Sequence, residues 1–143
     1  MRRGLFFIML LVIAGARVSL ADTDAEVNAR KNALDVAGAF TNDGFKLRDG
    51  HWCGMLKPQD HALIAVNLYA GNQYWFSVGA DASAKKFALQ VYDESGKPVV
   101  TETYEDDEKA AAGFSPTISG QYFVSIKPVE ADGSTFCLVY SYK

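Results

Sequence analysis

Apolar residues recur along this chain in three rhythms, and each predicts a different kind of segment. Residues 5–14 form an apolar run without a charge. Ala29, Ala33, Val36, Ala37 and Phe40 then fall at helical spacing, opposite Arg30, Lys31 and Asp35, which is the pattern of a helix with one buried stripe. Beyond Gly44 the period drops to two, the signature of strands that bury one face.

Local chemistry sharpens the boundaries. Thr23 followed by Glu26 is a capping box, in which the threonine oxygen accepts an orphan amide while the glutamate reaches back, so the helix is expected to begin there. Gly38 and the Asn42-Asp43-Gly44 cluster are expected to end it, because glycine and asparagine tolerate the left-handed conformation that closes a helix. Strands are predicted over residues 45–47 and 52–56, divided by the turn signal Asp49-Gly50. Residues 62–69 follow with Ile64, Val66 and Leu68 on one face, and Ala70-Gly71-Asn72 then leads into residues 74–78. Phe87, Leu89 and Val91 alternate, Asp93-Glu94-Ser95-Gly96 closes that strand, and residues 98–104 make the next. Tyr122, Val124 and Ile126 form a row after Ser119-Gly120. The last strand, residues 135–142, sets Phe136, Leu138, Tyr140 and Tyr142 on one face and Cys137 and Val139 on the other. Short strands with one apolar face each are satisfied by packing two antiparallel sheets, so the expected fold is all-β, a β-sandwich with a short N-terminal helix docked on it.

The first rhythm is read as an address. Arg2 and Arg3 precede the apolar run, and Ser19-Leu20-Ala21 supplies the small residues that a signal peptidase reads, which predicts cleavage after Ala21. Interrupted by Gly15 and Arg17, the run falls short of the roughly 20 apolar residues that span a bilayer. The arginine pair is a partial match to a folded-export signal, but the strongly apolar stretch suits the ordinary unfolded route. No cysteine follows the cleavage region to carry a lipid. The expectation is a soluble periplasmic or extracellular product, organised as signal peptide 1–21, helix and connector 22–44, and sandwich 45–143.

Cleavage changes the charge. The whole chain carries a net −3, and losing Arg2, Arg3 and Arg17 leaves eleven basic against seventeen acidic residues, a net −6. With no basic cluster to track a phosphate backbone, nucleic acid is excluded as the expected partner. Cys53 and Cys137 both survive cleavage, and in an oxidising compartment an even pair is expected to be bridged. The sharper alternatives are a reactive thiol at Cys53 with His51 as its base, and a zinc site from His51, Cys53 and His61, whose spacing fits no standard pattern.

Other chemistry is sparse. Glu105-Asp106-Asp107-Glu108 offers carboxylates to calcium, the one cofactor in view, with Asp81, Asp93 and Glu94 as further oxygen donors; a solvated acidic loop explains the same run. Trp52 and Trp75 are the candidate ligand-binding residues, since sugar faces stack on exposed aromatic planes; burial in the core or against the helix is the competing account.

The order of residues across 52–142 also has a family look. Gly54-Met55-Leu56-Lys57-Pro58-Gln59-Asp60 is followed by Leu68-Tyr69-Ala70-Gly71-Asn72-Gln73-Tyr74-Trp75-Phe76-Ser77-Val78, by Leu89-Gln90-Val91-Tyr92-Asp93-Glu94-Ser95-Gly96, and by Phe114-Ser115-Pro116 with Ser119-Gly120-Gln121-Tyr122-Phe123-Val124. This succession resembles the bacterial pre-peptidase C-terminal type of domain, which implies a jelly-roll-like sandwich of the kind attached to exported peptidases. Only the short helix precedes the sandwich here, so the expected role is that of a free-standing module. No catalytic set is apparent, and the leading expectation is a non-catalytic exported module that binds a protein or a carbohydrate. A small secreted hydrolase or metal-dependent enzyme is the second expectation, and assembly through an open sheet edge the third.

Overall fold

The structure is a computed structural model that describes residues 23–81, 86–129 and 134–143; the predicted signal segment lies outside them. The capping box forms as the sequence dictates. The Glu26 amide donates to Thr23 Oγ1 at 3.2 Å, and the Thr23 amide donates to Glu26 Oε2 at 3.1 Å, which starts helix α1, Asp24–Thr41. Thr23→Ala should therefore lower stability by about 1 kcal/mol, read as a fall in the urea midpoint at constant slope. Gly38 does not end the helix. It is carried inside α1, which closes on Asn42 and reaches Gly44 at φ +88°.

Nine strands follow among the described residues: β1 Lys46–Leu47, β2 Trp52–Leu56, β3 Ala62–Leu68, β4 Tyr74–Ala80, β5 Phe87–Tyr92, β6 Glu102–Asp106, β7 Lys109–Phe114, β8 Gly120–Pro128 and β9 Ser134–Tyr142. They form two antiparallel sheets. The larger has β9 at its heart, with β1 and β2 along one side and β4, β7 and β6 in turn on the other; the smaller has the order β3-β8-β5.

Of the turn expectations, one is met in place and one is corrected. Asp49-Gly50 does divide β1 from β2, but the two strands do not pair with each other: both pair with β9, Leu47 opposite Ser141 and Trp52 opposite Leu138. They are one interrupted edge strand whose extra residues bulge around Gly50, at φ +100°, a device that spoils an edge as a template for aggregation. Gly71, Gly96 and Gly120 are each expected to reverse the chain in conformations other residues disfavour; Gly71 (φ +92°) and Gly96 (φ +82°) do occupy the left-handed region at turns, whereas Gly120 begins β8 in ordinary extended conformation.

The strand expected over 98–104 lies further along. Pro98 makes only an isolated bridge to Tyr92, and the strand proper is β6. Its partner β7, Lys-Ala-Ala-Ala-Gly-Phe, has no counterpart among the strands that alternation predicts. Ala110 and Ala112 are buried on one face and Ala111 on the other, so no polar residue alternates with them.

The reason is a third layer. Between the sheets lie Phe76, Val78, Phe87, Val91, Val124, Ile126 and Leu138. On the opposite face of the large sheet, Ala29, Ala33 and Ala37 of α1 pack on Cys137 and Val139. Strands β4, β7 and β9 are thus covered on both faces, and their outer face carries Gly79, Ser77, Ala111 and Gly113, residues small enough to admit a helix. Asn32 fastens the contact, its Nδ2 donating to the Ala80 carbonyl at 2.7 Å.

Candidate protein-docking surface

Cys53 and Cys137 stand directly opposite each other on β2 and β9, Cα atoms 4.1 Å apart, and are joined by a disulfide. This closely approached pair sits under the helix, with Cys137 fully buried. The bridge removes the thiolate that both sharper readings required, so Cys53 is neither a free nucleophile nor a zinc ligand. The histidines are also separated. His51 Nε2 lies 3.4 Å from Arg30 Nη1 of the helix, while His61 precedes β3 in the other sheet and lines a hollow of about 570 Å³ with Tyr92, Phe123 and Lys127.

The acidic run is a hairpin rather than a loop. Asp106 pairs with Lys109, leaving Asp107 and Glu108 as the two-residue turn, with Asp107 at φ +38°. Glu105 and Asp106, being successive strand residues, point to opposite faces. Among the described residues no three His, Cys, Asp or Glu side chains gather into a metal-holding group. Asp93 instead fastens a turn. Its Oδ1 accepts from the Ser95 hydroxyl at 2.6 Å, from the Ser95 amide at 3.0 Å and from the Lys97 amide at 3.0 Å. The Ser95 hydroxyl and then the Lys97 amide hold its carboxyl below the usual range. Asp81 follows β4, where its amide donates to the Thr135 carbonyl at 3.1 Å.

Trp75 is half-buried and stacks on Phe40 of α1, ring centroids 4.2 Å apart and planes 9° from parallel. It can lie flat because its neighbour on β7 is Gly113, where a Cβ would come 2.9 Å from the indole. Trp52, partly exposed at the rim, stacks on Tyr140 at 5.8 Å, and Arg48 covers the same tyrosine ring from 5.5 Å. Burial pushes the Tyr140 phenol above its ordinary pKa, opposed by the Arg48 charge. The two tryptophans therefore contact different partners and do not form one platform.

Apart from Met55 on β2, the most exposed apolar side chains come together elsewhere, at one end of the sandwich. There the β5–β6 and β7–β8 connections line a cavity of about 490 Å³ whose wall includes Phe114 and Tyr122, and the β3–β4 connection adjoins it through the Ala70 amide on Ser119. Val100 is 94% exposed, Ile118 72% and Tyr69 60%. The backbone that carries Tyr69 and Ile118 is held by hydrogen bonds. The Tyr122 hydroxyl donates to the Ile118 carbonyl at 2.6 Å, the Ala70 amide donates to Ser119 Oγ at 2.8 Å, and the Tyr69 amide donates to the Tyr74 hydroxyl at 2.9 Å. Loops already held by hydrogen bonds lose little ordering entropy when the apolar side chains they carry dock on a partner.

The sequence pattern does not reveal this cluster. Tyr69 and Val100 fall within the strands that alternation predicts, and Ile118 stands alone between Pro116-Thr117 and Ser119-Gly120. An isolated large aliphatic inside a turn sequence is the one available signal. No helix among the described residues is long and apolar enough to cross a membrane.

No family model matches the chain, and no curated protein matches it in sequence. Among solved structures the fold is similar to that of Aeromonas hydrophila PliG, described as a periplasmic lysozyme inhibitor of g-type lysozyme, with a TM-score of 0.50, 12% sequence identity, and coverage of 66% of this chain and 85% of that one. At this identity the likeness is one of fold: the two chains share an antiparallel sandwich.

Proposed function

We propose that the protein is an exported, non-catalytic module that docks the loop end of its sandwich on a protein partner, and that the partner is a lysozyme-type hydrolase whose activity it blocks. The observation that carries the reading is the exposed pair Val100 and Ile118 lining the loop-end cavity, with exposed Tyr69 on the adjoining connection. The disulfide supports an oxidising compartment, and the fold shared with a periplasmic lysozyme inhibitor supports the class of partner. A hydrolase or metal-enzyme role finds less support, because Cys53 is bridged and the histidines lie on different sheets.

The test is a turbidity assay of peptidoglycan lysis by a g-type lysozyme, with a c-type enzyme alongside. Lysis should stop at about one equivalent of the folded protein. In a Val100→Asp/Ile118→Asp variant, affinity should fall by about 100-fold or more, the scale of losing central anchors from an interface. Undiminished lysis by both enzymes at about tenfold excess of folded protein would refute the proposed partner class.

A further inference from the structure

A second surface, independent of the loop end in its residues, has a chemistry of its own. Strand β6 pairs with β7 on one side, and among the described residues no strand lies on its other side. All five of its residues are exposed. An open edge presents unpaired backbone donors and acceptors, a template for an added strand.

The side chains along this edge choose among strands. Glu102, Glu105 and Asp106 place three carboxylates on five residues, and Asp107 and Glu108 continue the charge. A second copy of β6 would bring like charges face to face, whereas a basic strand would find its complement.

The register adds a pocket. Glu102, Tyr104 and Asp106 stand opposite Gly113, Ala111 and Lys109 and so share the face that α1 covers. There a cavity of about 360 Å³ opens between helix and strand, lined by Asp35, Phe40, Trp75, Tyr104, Asp106 and Lys109. Its walls are the stacked Phe40 and Trp75 rings, and carboxylates stand at its rim. Aromatic faces beside carboxylates accept an aliphatic stem tipped with a cation. The molecule already shows this preference: Lys109 Nζ lies 3.8 Å from Asp35 Oδ2.

We propose that the free edge of β6 and the aromatic pocket beside it receive an extended basic peptide segment, which adds as a strand and sends one lysine or arginine side chain into the pocket next to Asp35 and Asp106. An alternating segment fits because every second side chain of an added strand faces the helix side. Lys109 is then the built-in competitor for the pocket's charge.

The probe is a capped hexapeptide alternating valine and arginine, titrated into a Trp52→Phe variant of the folded protein so that Trp75 alone reports. Saturable change in Trp75 emission is expected, weakening as salt rises. Affinity should fall about tenfold or more in Asp35→Asn/Asp106→Asn, as expected when a cation loses its partly desolvated partners, and should rise in Lys109→Gln. N-methylation of the peptide on one set of alternate residues should abolish binding, while methylation of the other set should spare it. Equal binding of the glutamate-for-arginine peptide, indifference to methylation in both frames, or the absence of any response at Trp75 would each overturn the proposal.

Discussion

Removal of the Cys53–Cys137 bridge, by Cys53→Ala/Cys137→Ala or by reduction, is expected to lower stability by about 4 to 5 kcal/mol, the chain-entropy value for a long closed loop. The bridge spans a sequence separation of 84 residues. The loss is comparable to the whole net stability of a small domain, about 5 to 15 kcal/mol. Urea unfolding should show the reduced form melting at a much lower midpoint than the oxidised form. The bond ties edge strand β2 to central strand β9 directly beneath α1, so the helical signal in far-ultraviolet circular dichroism should fade together with the β signal. Superimposable oxidised and reduced curves would show that the bridge is not a brace.

The second large effect is expected at Gly79. A Cβ there would fall on the Ala33 amide nitrogen and the Ala29 carbonyl oxygen, and 2.7 Å from the Asn32 carbonyl carbon. These are backbone atoms of a helix and cannot rotate aside, unlike the tip of a flexible side chain. Gly79→Ala must therefore push α1 off the sheet, breaking the Asn32 hydrogen bond and uncovering Ala29, Ala33 and Cys137. Overpacking of this kind costs about 3 kcal/mol or more. Gly38→Ala is the internal control: it lies inside α1 with open space around its Cβ position, and it should raise stability by about 0.5 to 1 kcal/mol through helix propensity. Thermal denaturation of the pair reads both signs, and equal melting temperatures would deny that the helix seats on Gly79.

Much of this architecture is legible where one face is wet. The capping box, the Ala29–Phe40 stripe and the alternation of Val66, Leu68, Val124 and Ile126 each carry a period that physics ties to one conformation. Among the strands dry on both faces, β4 and β9 still show through their aromatic and β-branched residues, whereas β7 does not. In β7 the alanines look like a helix or a loop, since nothing polar alternates with them. Only the third layer, invisible along one strand, explains why small residues belong there. The Asp49-Gly50 turn misleads for the related reason that a local signal names a bend and not the strand's partner, which here is supplied by residues 134–142.

Function is less legible still. The residues that carry the pre-peptidase C-terminal resemblance, such as Gly71, Gly96, Tyr74 and Tyr122, sit at turns and in the core, where an antiparallel sandwich needs them whatever it binds. The tryptophans draw attention as residue types, yet each has a ring partner within the fold. Tyr69, Val100 and Ile118 come from three connections and become a surface only once the loops converge. No spacing along the chain encodes that meeting.

The place of β9 has a consequence for how such a molecule comes into being. It lies between β2 and β4, so a chain emerging from its amino end holds the two halves of the large sheet with a gap between them until residues 134–142 arrive. Helix α1, the edge strand and Cys53 wait on the same event, and such long-range closure is intrinsically slow. Assembly of the large sheet is thus held back until nearly all of its strands have emerged, and its two halves are committed to one fixed shape only by the last of them.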